Sequence, residues 1–462
     1  GPVLSVFTFI RSSAMLKLLP WKRGRFLFQL SLSGRLLMLS RYLRSSVAKN
    51  AASLYVIHFA NYLLPLITVP YVVRVLTPHG YGLVAFAQSF LGYFTVLVEF
   101  GFGFSATRKI SVSRNDPESV SRIAFCVWGA KLLLCLAGLL ILLLCILLVP
   151  TLRENQALLL ILYLAALGSA LFPGWLYQGM ERMVYISIIN LGIRLVVVVG
   201  IFTLIKKPED YLLYAGLSSF GALLAGIGGA AWALQLFSLK LVIPSLGEIW
   251  QYLKEGWVLF LSTASISLYT VGNSFILGMF TNPIVVGYYS AGEKIVRSLL
   301  GLIGPLSQAA YPRFAMLAAA SKSQALLWGR RMLFVNGGIG LFLSASLLVG
   351  APLVVNILLG KDYGPSVQVI RVLAFIPFLV AISNVLGIQT MLPFGKDKLF
   401  TSILFGAGLV NLSLAFFLIS FWQEVGMAAA FLASEIFVTM VMFFALSFYN
   451  LNPFFRKLPI TS

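Results

Sequence analysis

The chain has 462 residues, of which 60% are hydrophobic and only 10% charged, with a mean hydropathy of +0.95 and a formal net charge of +20. A water-soluble domain carries about 25% charged residues, so soluble packing is excluded and a bilayer is the solvent, where backbone polar groups must pair inside helices or a closed barrel. The excess Lys and Arg sit mostly in short loops and at one terminus, a topological pattern that excludes a nucleic-acid-binding face.

Residues 1–49 hold nine Lys/Arg and no acid. Their apolar runs are broken by Arg23, Arg25, Arg35 and Arg41, which rules out the clean apolar core of a signal peptide. The segment reads either as an interfacial basic helix or, since the chain starts at Gly1-Pro2 without Met, as a stretch outside the functional protein; its composition favours the dispensable reading.

From Asn50 onward, apolar stretches of 20 residues or more recur, enough for a helix across about 30 Å of hydrocarbon. The strict alternation of barrel strands is absent. Spans are predicted at about 50–75, 81–104, 122–149, 157–180, 183–205 and 211–238. A polar, helix-like linker follows at 239–256, with Lys240, Glu248, Lys254 and Glu255. Six more spans are predicted at about 257–280, 285–312, 330–359, 366–393, 399–422 and 425–448. The predicted fold is thus an all-α polytopic membrane protein with about 12 transmembrane helices in two six-helix bundles. Its parts are 1–49 (basic segment), 50–238 (first bundle), 239–256 (cytoplasmic amphipathic linker), 257–448 (second bundle) and 449–462 (cytoplasmic tail).

With both termini inside, the cytoplasmic segments collect 24 Lys/Arg against five on the other side (Arg74, Arg153, Lys206, Lys207 and Lys361). Without the N-terminal segment the ratio is 15 to five. The bias predicts an N-in, C-in topology with an even number of spans. The cysteines Cys126, Cys135 and Cys145 fall in one apolar stretch without a CxxC pair, so neither a disulfide framework nor a metal site is expected.

An internal repeat is visible. Tyr81-Gly82-Leu83-Val84-Ala85-Phe86-Ala87-Gln88 is similar to Val286-Gly287-Tyr288-Tyr289-Ser290-Ala291-Gly292-Glu293 at an offset of 205. Gly179-Met180-Glu181-Arg182-Met183 is similar to Gly395-Lys396-Asp397-Lys398-Leu399 at an offset of 216. Two parallel halves place a transport site between them.

Lys131, Arg194, Lys294, Arg297 and Arg371 fall within predicted spans, as do the acids Glu99, Glu293 and Glu435. A charge at a helix centre costs about 2.5–3.5 kcal/mol even on the lenient insertion scale, so these groups should line an interior, pair or snorkel. On the span at 285–312, Ser290, Glu293, Arg297, Gly301, Gly304 and Gln308 share one face. Glu293 and Arg297, four residues apart, form either a structural ion pair or part of a cleft, and Lys294 adds positive charge beside them. Gln88, Gly92, Thr95 and Glu99 form the equivalent stripe of the first half, and Ser262, Ser265, Tyr269 and Asn273 form another. Such stripes suit a hydrated, cationic cleft for a phosphate-bearing cargo, which Arg74, Arg371 and Arg194 with Asn190 would extend. Glu99 and Glu293 are the coupling-ion candidates. Pro65 and Pro70 predict kinks in the first span that serve either as hinges or as ordinary structural features.

Asn61-Tyr62-Leu63-Leu64-Pro65-Leu66, Pro70-Tyr71-Val72-Val73-Arg74-Val75-Leu76 and Tyr81-Gly82-Leu83 through Gln88-Ser89-Phe90 resemble the start of the Wzx-type O-antigen flippases. Glu99-Phe100-Gly101-Phe102-Gly103-Phe104-Ser105-Ala106-Thr107-Arg108 and Pro173-Gly174-Trp175-Leu176-Tyr177-Gln178-Gly179-Met180-Glu181-Arg182 resemble the ends of their second and fourth helices. The resemblance runs from about residue 46 to the C-terminus and is strongest in the first half. It implies the V-shaped fold of the multidrug/oligosaccharidyl-lipid/polysaccharide exporters. It also implies a bacterial inner-membrane protein that moves undecaprenyl-diphosphate-linked repeat units outward by alternating access. Arg74, Glu99, Arg108, Gln178, Glu181 and Arg182 carry over as family-like positions. The implied partners are the lipid-linked glycan, membrane lipids and the polysaccharide polymerase machinery.

No cofactor, metal or covalent chemistry is expected, and the absence of a P-loop argues against direct use of ATP. A multidrug exporter of the same fold would favour an acidic, aromatic cavity, whereas this interior leans basic. A lipid II flippase would carry two further helices. A membrane-embedded polymerase or transferase would need a catalytic His, paired carboxylates or a long loop; the histidines are His58 and His79, and no loop is long.

Overall fold

A computed structural model describes residues 46–301 and 313–454. The basic segment before residue 46, most of the tail and Gln308 lie outside the described residues, as do the side chains of Pro65, Ser262 and Tyr269.

Every element among the described residues is helical. The first, α1 (Ser46–Glu99), is two limbs joined at Thr77 (φ 58°, ψ 171°). Thr77 precedes Pro78, whose ring disfavours helical dihedrals in the residue before it. The backbone keeps helical dihedrals through Pro65 and Pro70, so the break falls at Thr77 and not at the prolines expected to kink the span. The second limb ends at Glu99, short of the predicted 104, because Phe100 (φ 42°) and Gly101 (φ 74°) turn the chain into a separate helix, α2 (Phe102–Ser113).

Asp116 caps α3 (Pro117–Leu148), accepting hydrogen bonds from the amides of Glu118 (3.1 Å) and Ser119 (3.3 Å). After the short α4 (Pro150–Glu154) come α5 (Gln156–Leu171) and, past Pro173, α6 (Gly174–Gly179). The helices α7 (Met183–Leu204) and α8 (Tyr211–Leu236) complete the first half. Backbones of α5 and α8 meet at Gly168 and Gly226, the small-residue packing that membrane helices use where lipid removes the hydrophobic drive.

The second half opens with α9 (Leu246–Thr270), started by a capping box between Ser245 and Glu248. It continues with α10 (Asn273–Phe280) and with α11 (Pro283–Leu300), capped by Asn282. Then come α12 (Lys322–Val354), which ends in a π-helical turn at Val355–Leu359, α13 (Ser366–Leu373) and α14 (Ile376–Asn384). The last helix, α15 (Asp397–Phe448), doubles back at Gln423 (φ 44°), and Gly426 lets its two limbs touch at Leu418.

The described residues contain eight helical stretches long and apolar enough to cross a membrane. Doubling the kinked α1 and α15, and adding α9–α10 and α11, gives twelve passes, each overlapping one of the twelve predicted spans.

The two halves meet unequally at their two ends. At the Thr77 end one core runs through both halves, from Val72, Leu76 and Val84 to Val286, Leu359 and Val369. There the Tyr363 hydroxyl donates to the Val73 carbonyl at 3.1 Å, and Arg74 donates to the carbonyl of Ile357. At the Gly101 end a second core holds only α2, α3, α6, α7, α8 and the start of α9. Phe314, Phe394, Lys396 and Tyr449 pack among themselves in the second half. Among the described residues, the core at the Gly101 end takes in α9 as its one helix from the second half, whereas the core at the Thr77 end draws on both halves.

Candidate functional site

Of the polar stripe predicted on α11, Ser290, Glu293 and Arg297 lie on the described helix, while Gly304 and Gln308 lie outside the described residues. Ser290 is buried and shares a 2.8 Å hydrogen bond with Ser274. The Arg297 guanidinium donates to Glu293 Oε1 at 3.0 and 2.8 Å and to the Thr270 carbonyl at 2.7 Å. Its carbon lies 5.3 Å from the ring centre of Phe431, and the buried carboxyl of Glu435, one turn further along α15, is within Coulombic range. Arg297 thus ties the end of α9, α11 and the second limb of α15 together, with two acids sharing its charge.

Lys294 differs in exposure and has no ion pair among the described residues. It is exposed although residues of both halves surround it. The crevice beside it is lined by Val69, Pro70, Ser298 and Leu358. Arg297, Glu293 and, from the first half, Arg194 lie within Coulombic range of its ammonium. Arg194 is itself exposed on α7. Its expected companion Asn190 instead donates to the carbonyl of Ile186 at 2.9 Å. Lys294 and Arg194 are thus exposed cations from opposite halves within Coulombic range of each other. Placed where water is partly excluded, such cations hold phosphate oxygens more strongly than the same groups would in bulk water.

The other predicted residues scatter. Lys131 is 0% exposed, and its ammonium donates to Glu99 at 3.1 Å and to the Ser169 carbonyl at 2.7 Å. Lys131 therefore does not line the cleft, because burial forces its charge onto a partner within the first half. Glu99 also accepts from the Ser169 hydroxyl and keeps 43% of its side chain exposed. Arg74 sits at the Thr77 end, bridging to Ile357. Gln88 is exposed on the second limb of α1, Asn273 is buried at the start of α10, and Arg371 is exposed in the last turn of α13. Tyr269 and Gln308 fall outside the described side chains.

Three features were missed from sequence. Ser169 completes the Glu99–Lys131 pair, and nothing in its apolar surroundings marks it. Glu435 was visible as a lone intramembrane acid, but not as a neighbour of Arg297. The linker is held to the first half by Lys109–Glu255 (2.6 Å), Arg122–Glu248 (2.6 Å) and Lys240–Glu118 (3.5 Å), with the Lys109 ammonium 3.9 Å from the Tyr252 ring centre. The complementary signs of linker and loop were the available signal.

The profile of the polysaccharide biosynthesis protein family matches residues 47–318. A protein of Escherichia coli strain K12 named "Putative O-antigen transporter" is 34% identical over 397 residues, covering 86% of this chain and 96% of that relative. One of the same name from Shigella dysenteriae is 30% identical over 400 residues, covering 85% and 98%. Among solved structures, an inward-facing multidrug resistance MATE transporter of the MOP superfamily superposes with a TM-score of 0.61 at 13% identity, covering 84% of this chain and 98% of that one. A eukaryotic MATE transporter gives a TM-score of 0.56 at 13% identity, covering 88% and 97%. These likenesses establish the exporter fold expected from the sequence. The chain belongs to the polysaccharide biosynthesis protein family, as the Wzx-type motifs of its first half led us to expect.

Proposed function

We propose that this protein moves undecaprenyl-diphosphate-linked oligosaccharide units from the cytoplasmic to the periplasmic leaflet of a bacterial inner membrane by alternating access. The observation that carries the reading is the pair of exposed cations, Lys294 and Arg194, which come from opposite halves and lie within Coulombic range of each other. A diphosphate bridging them would bind both halves at once, so its arrival or departure changes how the halves sit. The names of the two relatives support the glycan as cargo. The basic loops containing Arg108, Arg114, Arg122 and Arg182 lie at the Gly101 end, and the positive-inside rule supports reading that end as cytoplasmic.

The protein acts as a transporter without covalent chemistry, and an ion gradient drives it through Glu99 or Glu293. Flux into vesicles that survives collapse of both proton and sodium gradients would rule this coupling out. The cargo is tested by deleting the gene and analysing surface polysaccharide. Loss of polymer with inward accumulation of the lipid-linked unit is expected; normal polymer would reject the reading. Among alternatives, multidrug export on the same fold is disfavoured by the basic cleft.

A further inference from the structure

The repeat visible in the sequence reappears as a reciprocal contact. Gly82 in the second limb of α1 and Gly287 in α11 are repeat equivalents, and so, at the same offset of 205, are Pro78 and Pro283, which precede them by four residues. A Cβ added to Gly82 would overlap the carbonyl oxygen of Pro283 and lie 2.8 Å from the Gly287 nitrogen. A Cβ added to Gly287 would overlap the carbonyl oxygen of Pro78 and lie 2.9 Å from its carbon. Each half thus presses a glycine Cα–H against the other half's first-turn carbonyl, a contact only glycine permits at this spacing.

Around this contact the Tyr363 hydroxyl reaches Val73, and Arg74 reaches the carbonyl of Ile357. At the other end, among the described residues, the second half joins the core through α9 alone. We infer that the Gly82–Pro283 and Gly287–Pro78 contacts form the gate that seals the periplasmic end, closing only because both halves carry glycine at the same repeat position. This inference rests on the alternating-access reading, since a gate must open once in each cycle. Alanine favours helix over glycine, so Gly82→Ala and Gly287→Ala leave each helix intact and disfavour only the state in which the halves touch. Either substitution should shift the protein toward the state open at the Thr77 end.

The test uses full-length protein in spheroplasts, with Cys126, Cys135 and Cys145 replaced by serine and Val73→Cys as reporter. Val73 is 0% exposed, so a membrane-impermeant maleimide added from outside should label it slowly. We expect Gly82→Ala and Gly287→Ala each to raise the labelling rate at least about fivefold. Gly103→Ala, with nothing within 4 Å of its added Cβ, should leave it unchanged. An unchanged rate in both gate variants, at normal membrane insertion, overturns the inference. If the variants insert poorly, Val73→Cys alone in the glycine background tests the closed contact; labelling there as fast as in denatured protein also overturns it. Neither readout depends on cargo. Accelerated labelling in cells with unaltered surface glycan would keep the gate and reject the flippase reading instead.

Discussion

Lys294 and Arg297 are three residues apart on one helix, yet their surroundings give them different tasks. Arg297 holds Glu293, the Thr270 carbonyl and the neighbourhood of Glu435, whereas Lys294 is exposed, with Arg194 of the other half in Coulombic range. Lys294→Gln should therefore cut glycan flux by about tenfold or more, the equivalent of one lost charge-assisted contact of about 1.5–3 kcal/mol. Its thermal stability in detergent should stay close to that of the unsubstituted protein. Arg297→Gln leaves two carboxyls without their cation. It should lower stability by about 3 kcal/mol, the low end for breaking a buried pair because the guanidinium is 35% exposed. Thermal unfolding of the two purified variants separates the roles, and equal destabilisation would contradict the division. In the first half, Lys131→Met should be strongly destabilising alone and much less so together with Glu99→Gln, since removing both charges leaves no orphan. A double-mutant cycle on unfolding reads this directly; additive losses would show that the pair does not interact.

At the scale of elements, hydropathy made the twelve passes legible because a bilayer demands about 20 apolar residues per helix wherever the chain crosses. The breaks between passes were less legible. Thr77 carries the turn because Pro78 follows it, while Pro65 and Pro70 sit within helical backbone that tolerates them. The α11 stripe was readable because side chains on one helix obey a fixed period. Contacts such as Glu99–Lys131–Ser169 were not, since their spacing along the chain carries no periodic signal. The linker shows an electrostatic logic of its own. The amide and hydroxyl of Ser245 and the guanidinium of Arg122 hold the Glu248 carboxyl below its ordinary range, the Ser245 amide contributing most. A carboxylate depressed in the folded state stabilises above its unfolded pKa of about 4.3 and loses that contribution only as pH falls through the lower folded value. Hydrogen exchange across 245–256 should therefore be protected equally, after correction for intrinsic rates, at pH 7 and pH 5. Loss of protection between those values would contradict the anchoring of α9 by Glu248.

For the whole molecule, the inequality of its two ends decides the reading. A core shared by both halves at the Thr77 end, and a core at the Gly101 end that among the described residues takes in only α9 from the second half, suit the proposed rocking of two bodies about their contact. The twofold repeat was legible in the sequence, but the reciprocal fit of its glycines and prolines was not, because only the assembled halves bring positions 78 and 287 together. The proposed basic cleft was legible in its charge and not in its membership: Arg194 and Lys294 are exposed and within Coulombic range, Lys131 is paired elsewhere, and Arg74 bridges to Ile357. The central claim is tested most directly in proteoliposomes containing the purified protein and a labelled undecaprenyl-diphosphate-linked oligosaccharide, with an impermeant glycosidase reporting which leaflet the label occupies. The account predicts transfer between leaflets that depends on the protein and falls about tenfold in Lys294→Gln. Transfer no faster than in protein-free vesicles, under an imposed ion gradient, would contradict it.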